Sequence, residues 1–324
     1  MKKYKNLLGI GVLLLLAAAL AWYIADNWDS FQKIELSDPV WLLPTVVLFV
    51  INIYAIGVIM EAAIEPHGVM LSRHEILGLS SLTRFANNVT PSYLGTAIRA
   101  LYLKKKYGVS YAKFTSSFAV SNILQLMISG VVALLILIYH SGFSAESDMA
   151  LLMLGFIVFF VALIFVPVRW LAAFFERRSK KYASKRKGKI FERLSVVVTE
   201  YDKVRSQPKI FFKILIWTIV SIVATMGTIY YTYLALGLDV PILSAIFIAV
   251  LASWAIVFAI TPGNVGVSEG LVVAGAQLMG VSIPVTIAMA ILRRLIMYLV
   301  TFLLATYYAP KLLNTSLTKM SDYK

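Results

Sequence analysis

The sequence predicts an all-α polytopic membrane protein, with about six full spanning helices and two broken, re-entrant helical hairpins. Composition, runs of spanning length and a one-sided distribution of Lys and Arg predict it. Of 324 residues, 60% are hydrophobic and 14% charged, with a mean hydropathy of +0.82. A soluble domain is nearer half apolar and about a quarter charged. Cysteine is absent, which excludes disulfides, thiolate metal sites and a cysteine nucleophile.

Crossing the hydrocarbon core takes about 20 apolar residues at about 1.5 Å rise per residue. Stretches near 7–24, 41–60, 114–138, 149–168, 212–235 and 284–308 meet that requirement. The first follows a basic "MKKYK" start, but its apolar run is longer than a signal peptide's and no small-x-small cleavage site follows. It reads as a retained helix.

With the N-terminus in the cytoplasm, the outward loops 25–40, 139–148 and 236–241 hold one Lys (Lys33) and seven acids. The inward segments hold "MKKYK", "KKKYG", the run 169–213 and Lys311, Lys319 and Lys324. By the positive-inside bias this predicts a plasma-membrane protein with both termini cytoplasmic.

Two regions break the simple pattern. Residues 75–106 carry Arg84, Asn87, Asn88 and Arg99 and are too polar for two spans; residues 241–279 hold the apolar run Ile242–Ile260, then "TPGNVGVSEG", then a shorter helix. Pro removes a backbone donor and Gly permits tight bends, so Pro91 and Gly95, and Pro262, Gly263 and Gly266, mark helix breaks. A break exposed to lipid would leave backbone groups unpaired, so it must sit in protein or beside a polar cavity.

Each broken hairpin is followed by "GVS" and a long helix, Gly108 lying 13 residues after Gly95 and Gly280 lying 14 after Gly266. This suggests a single transmembrane domain, 1–324, with an internal repeat: copy one about 41–138, copy two about 212–308. Helix 41–60 runs inward and helix 212–235 outward, so the copies are inverted, a design in which transporters place substrate where the breaks meet. Eight or more full spans, with Pro and Gly as mere kinks, is the alternative.

Glu269 reads as the one acid inside an apolar segment, with Arg99, Arg293 and Arg294 as possible partners. A charge at membrane depth costs about 2.5–3.5 kcal/mol on insertion scales and faces a cavity or a partner. Two readings stand: a structural Glu–Arg pair, or a path for a charged head group lined by Glu269 and Arg99. Arg99, Arg294 and Arg84 bear forks suited to phosphate, although Arg84 could also snorkel. Asn87 and Asn88 would either bond freed backbone groups or offer amides to a ligand. Lys104, Lys105 and Lys106 read as an interfacial anchor, Tyr93 and Trp254 as packing aromatics.

Residues 169–209 hold 13 Lys/Arg and four acids. Ile190, Phe191, Leu194, Val197, Val198 and Tyr201 recur there at helical spacing. That predicts a basic amphipathic segment on the cytoplasmic leaflet, with anionic phospholipid head groups as partners. Positive-inside bias explains the basic run without nucleic acid. His67, His74 and His140 lie at loops or segment edges, no Asp lies within a span, and no phosphate loop is present. No catalytic or metal-binding constellation is visible, so neither an enzyme nor a cofactor is expected.

The stretches "NNVTPSYLGTAIRALYLKKKYGVS" and "ITPGNVGVSEGLVVAGAQLMGVSIPVTIAMAILRRLIMYLV" resemble the flippase-type transmembrane region of the lysylphosphatidylglycerol synthase (multiple peptide resistance factor) family. Asn87, Asn88, Pro91, Gly95, Arg99, Pro262, Gly263, Gly266, Glu269, Gly280, Val281, Arg294 and Leu295 match its pattern. Thr96 stands where that pattern has a Glu, and Asn264 where it has a second Gly. The sequence does not contain the aminoacyl-transferase domain of the full synthases, so the resemblance implies lipid translocation rather than lysyl transfer. The expected cargo is a phospholipid or polyprenyl-phosphate-linked lipid, and a homo-oligomer is among the arrangements expected of the chain. A small-solute or ion-coupled transporter, or a membrane anchor for a glycosyltransferase, are the alternatives.

Overall fold

In a computed structural model the described residues are 25–26, 28–32, 34–90, 94–141, 155, 158, 162, 169–182, 186–255 and 261–321; they contain helices and turns but no strand. The helices are α1 (Trp28–Gln32), α2 (Leu42–Ile64), α3 (Arg73–Val89), α4 (Leu94–Tyr107), α5 (Tyr111–Ser141), α6 (Arg169–Lys181), α7 (Arg186–Arg205), α8 (Pro208–Ala235), α9 (Ile242–Ser253), α10 (Val267–Leu278) and α11 (Ile283–Ser321). Four apolar segments of 28 to 30 residues are long enough to cross a membrane: Pro39–His67, Tyr111–Tyr139, Pro208–Ala235 and Ile283–Leu312. The protein is thus a polytopic helical membrane protein. The predicted spans 7–24 and 149–168 lie outside the described residues, apart from residues 155, 158 and 162.

Both broken regions are helix, break, helix. In the second, regular helix stops at Ser253, short of the apolar run that continues to Ile260; residues 256–260 lie outside the described set. Helices α9 and α10 have 12 residues each, a rise of about 18 Å that falls well short of a bilayer core. Small residues let these two arms pack closely. A Cβ on Gly275 would stand 3.0 Å from a Leu251 methyl and 3.4 Å from Ile248 Cα. Ala245, Ala249 and Ala276 sit fully buried in the same cluster as Ile248, Val272 and Met289, the kind of small-residue contact that drives helix association in lipid.

The repeated "GVS" words have a local physical reading. Gly108 and Gly280 adopt φ of +69° and +72°, the left-handed turn that ends a helix. Val281 N–H donates to Ala276 O at 2.8 Å and Val109 N–H to Leu103 O at 3.3 Å, closing the outgoing helix ends. The Ser110 hydroxyl then accepts from Lys113 N–H at 3.3 Å at the start of α5. Each word is a helix stop followed by a helix start.

The chain divides into two compact units. One comprises Met1–Ala55, Arg73–Arg99 and Val220–Lys324, and the other Ile56–Ser72 and Ala100–Ile219. In the first unit α3 packs along α11, α10 packs on α11, and the Pro262–Asn264 turn packs on α3. Gly78 makes room for this: a Cβ there would stand 3.0 Å from Tyr308 Cβ. The first arm-to-arm contact is closer still, because a Cβ on Gly95 would run into the Thr83 carbonyl. Gly95→Ala is therefore expected to destabilise the hairpin by about 2–3 kcal/mol through forced backbone movement. A thermal unfolding midpoint equal to that of the unsubstituted chain would contradict this close approach.

The second unit corrects one expectation and refines another. Helix α2 continues beyond residue 60, so Glu61 and Glu65 fall within or just after it. Lys213 Nζ bridges both, at 2.6 Å to Glu61 and 2.9 Å to Glu65, with the Glu61 side chain 5% exposed. Glu269 is therefore not the one acid embedded in an apolar span; Lys213 lies 152 positions from Glu61 in the sequence, so a reading that ended the helix early could not pair them. The basic segment is two helices, not one surface helix. Phe191 of α7 stacks on Phe175 of α6 at 6.2 Å, and Tyr201 and Val204 are buried, while α7 packs along α5. Ile190 and Leu194 stay exposed. Acids at the end of α7 are held by bases, Glu200 by Lys203 and Asp202 by Arg169, and His67 Nε2 lies 3.1 Å from Glu200.

Candidate functional site

All the residues discussed next belong to the first unit. The late break is shaped by Gly263 and Asn264, with φ of +59° and +54°. Asn tolerates this left-handed conformation better than other side-chain-bearing residues. The departure at Asn264 thus preserves the turn, and its amide adds a bond of 3.3 Å to Ala255 O. Asn264→Val is expected to cost about 1–2 kcal/mol, because a β-branched residue resists this conformation. Asn264→Gly should be nearly neutral; comparison of the two unfolding midpoints checks the assignment.

Glu269 stands three residues after Gly266, at the third position of α10. Its Oε2 accepts from Gly266 N–H at 2.7 Å, as the acidic half of a capping arrangement, since Gly266 has no side chain to reciprocate. Its Oε1 lies 2.5 Å from Arg294 Nη2, the two side chains being 24% and 15% exposed. Arg294 also donates from Nη1 to Gly263 O and to the Tyr298 hydroxyl, each at 3.3 Å. Of the three candidate partners for Glu269, Arg294 makes the ion pair.

The early break meets the late one. A Cβ on Gly263 would lie 3.1 Å from Asn88 O and 3.2 Å from Asn88 Cα, so only a glycine lets the two backbones approach this far. The adjacent asparagines divide the two roles considered for them. Asn87 Oδ1 accepts from Thr96 N–H and its Nδ2 donates to Thr96 Oγ1, both at 3.2 Å, fastening α3 to α4. Thr96, where the family pattern has an acid, is thereby used in closing the break. The Nδ2 of Asn88 is buried and has no hydrogen-bond partner among the described residues. Trp254 Nε1, at the end of α9, is likewise buried without one. Pro91 lies outside the described residues.

Arg99 is 6% exposed. Its Nε donates to Thr83 Oγ1 at 3.1 Å and its Nη2 to Ser80 Oγ at 3.0 Å. Those hydroxyls belong to α3 and donate to its own backbone, at Leu79 O and Ile76 O. Arg99 thus braces the first hairpin from α4, and it makes no ion pair with Glu269.

Two arginines that weighed less in the sequence complete the site. Arg84 Nη1 donates to Asn52 Oδ1 at 2.7 Å. The Asn52 amide donates in turn to Ser221 O, Ser221 Oγ and Thr225 Oγ1 at 2.9–3.1 Å, a polar seam joining α2, α3 and α8. Arg293 sits 5.8 Å from the Phe49 ring and feels the charges of Arg84, Arg294 and Glu269; Arg84 feels that of Arg294. The signal for Asn52 was present in the sequence as a lone amide in the apolar "FVINIYAIG". Its partner 32 positions on was not, because only folding brings them together.

These features define a polytopic helical membrane protein whose two broken hairpins meet at a charged, partly buried seam. The chain belongs to the family described as the lysylphosphatidylglycerol synthase TM region, which matches residues 6–305. It is also similar to the UPF0104 membrane protein PH1989 of Pyrococcus horikoshii. The two are 21% identical over 328 residues, covering 94% of this chain and 95% of the relative. No solved structure matches.

Proposed function

We propose that this protein translocates an amphiphilic lipid between the leaflets of the plasma membrane, its head group passing the seam where the broken hairpins meet while the tails stay in lipid. The observation that carries this reading is the meeting of the two breaks at Gly263 and Asn88 beside the Glu269–Arg294 pair. Charges and interrupted helices at membrane depth are costly and are retained where a polar cargo crosses. The two hairpins belong to inverted repeat copies, about 41–138 and 212–308, which exchange access to the seam as in other transporters built this way. Both termini face the cytoplasm, on the strength of the Lys/Arg asymmetry.

Glu269 acts as a gate by releasing Arg294 to the arriving head group, while Arg99 and Asn87 hold the first hairpin in shape. The full chain reconstituted in vesicles with head-group-labelled phospholipids tests this. Leaflet exchange faster than in protein-free vesicles, and slowed by Glu269→Gln, is the expected result. Exchange indistinguishable from protein-free vesicles across several head groups would overturn it.

A further inference from the structure

We infer that the head group taken by this seam is a phosphate monoester carrying close to two negative charges and no cationic group. This rests on the translocation reading and adds the chemical class of the cargo. Three guanidinium groups, of Arg84, Arg293 and Arg294, lie within electrostatic reach of Arg293 or of one another, and Glu269 is the carboxylate among them. Three positive charges against one negative leave an excess of two, which repel one another in a poorly solvated place.

The carboxylate is not free to receive an amine. Its Oε2 is held by Gly266 N–H and its Oε1 by Arg294. A cationic head group would therefore meet an arginine-rich wall with its natural partner already engaged.

What the site offers is donors. Among the described residues the Arg84 fork donates to the neutral Asn52 and to no carboxylate. Arg293 rests on the Phe49 ring, with no carboxylate at ion-pair distance among the described residues. Among the described residues the Asn88 amide nitrogen is buried without an acceptor, next to the Gly263 whose carbonyl receives Arg294. An unpaired buried donor beside uncompensated guanidinium groups fits a multi-oxygen anion that supplies both charge and acceptors. A phosphate monoester near neutral pH carries about 1.5 to 2 negative charges on three acceptor oxygens. A phosphodiester carries one charge, so it leaves part of the excess unmatched.

The test is binding to the full chain in detergent, read as the ligand-dependent rise in unfolding temperature. The probes are dioctanoyl phosphatidic acid, the corresponding phosphatidylglycerol, phosphatidylethanolamine and lysyl-phosphatidylglycerol, and inorganic phosphate. Phosphatidic acid is expected to bind at least about tenfold more tightly than the other three lipids, as matched charge-assisted pairs allow. The gap should close in Arg293→Gln and in Arg84→Gln. Equal binding of phosphatidic acid and phosphatidylethanolamine by the unsubstituted chain would overturn the inference without touching translocation, which the vesicle assay decides separately. Inorganic phosphate binding as tightly as phosphatidic acid would uphold the phosphate chemistry but overturn a lipid as its source. Because the lipid comparison is made on the unsubstituted chain, failure of a variant to fold does not blunt it.

Discussion

Glu269→Gln is expected to lower the stability of the protein by about 2–3 kcal/mol and to slow leaflet exchange at least about tenfold. The substitution leaves Arg294 without its carboxylate in a neighbourhood already occupied by Arg84 and Arg293. The cost stays below that of a fully buried orphaned charge because Glu269 is 24% exposed, and because Gln retains an oxygen able to accept from Gly266 N–H. Arg294→Gln should destabilise less, since it removes one member of a repelling set while stranding a carboxylate that still caps α10. The double substitution should recover part of the stability lost by Glu269→Gln, giving a measurable coupling in a double-mutant cycle. It should recover none of the transport. Strictly additive losses in unfolding free energy would show that the 2.5 Å pair has no energetic weight.

Arg293→Met should do the reverse to stability. Arg293 has no carboxylate at ion-pair distance among the described residues, and its guanidinium rests 5.8 Å from the Phe49 ring. Methionine can fill much of the same apolar space, and removing one positive charge relieves repulsion from Arg84 and Arg294. The unfolding temperature is expected to stay level or rise, while leaflet exchange falls at least about tenfold, the trade-off expected where a site is kept charged for its ligand. Thermal unfolding and vesicle exchange measured on the same preparation check both halves. A variant that transports normally would remove Arg293 from the site, and one that unfolds many degrees lower would show that its charge is compensated in the free protein.

Four of the spans and the late break were legible because each depends on local composition. An apolar run of spanning length has few folded alternatives, and Pro262 and Gly263 interrupt such a run where they fall. The two "GVS" words were legible as well, although their recurrence also follows from helix-ending geometry at Gly108 and Gly280. The end of α2 was misjudged because Glu61 and Glu65 look like loop residues until Lys213 is brought against them. Within the site, Gly266 and Glu269 carried a readable capping spacing. The choice of Arg294 over Arg99 as the partner of Glu269 was not readable, because it depends on how α11 lies against the late break. Arg99 is satisfied instead by Ser80 and Thr83, two hydroxyls at helical spacing that resemble ordinary polar decoration in the sequence. Asn87 and Asn88 are adjacent and chemically identical, yet one closes the break and the other keeps an unpaired amide; only the packing of Gly263 against the second separates them.

The most direct test of a polar path through the breaks is thiol accessibility, which the absence of native cysteine makes clean. Asn88→Cys and Ser268→Cys, the latter in the first turn of α10 just before Glu269, would each be exposed alone in the full chain, in vesicles, to a membrane-impermeant maleimide. A path through the seam predicts that both react, and that phosphatidic acid added to the bilayer slows the reaction. A cysteine at the exposed, apolar Leu299 position of α11 (58% exposed), which this account places against lipid, should stay unmodified. If Asn88→Cys and Ser268→Cys are as inert as Leu299→Cys while the protein remains folded, water does not reach the breaks, and they are structural kinks rather than the route of a head group.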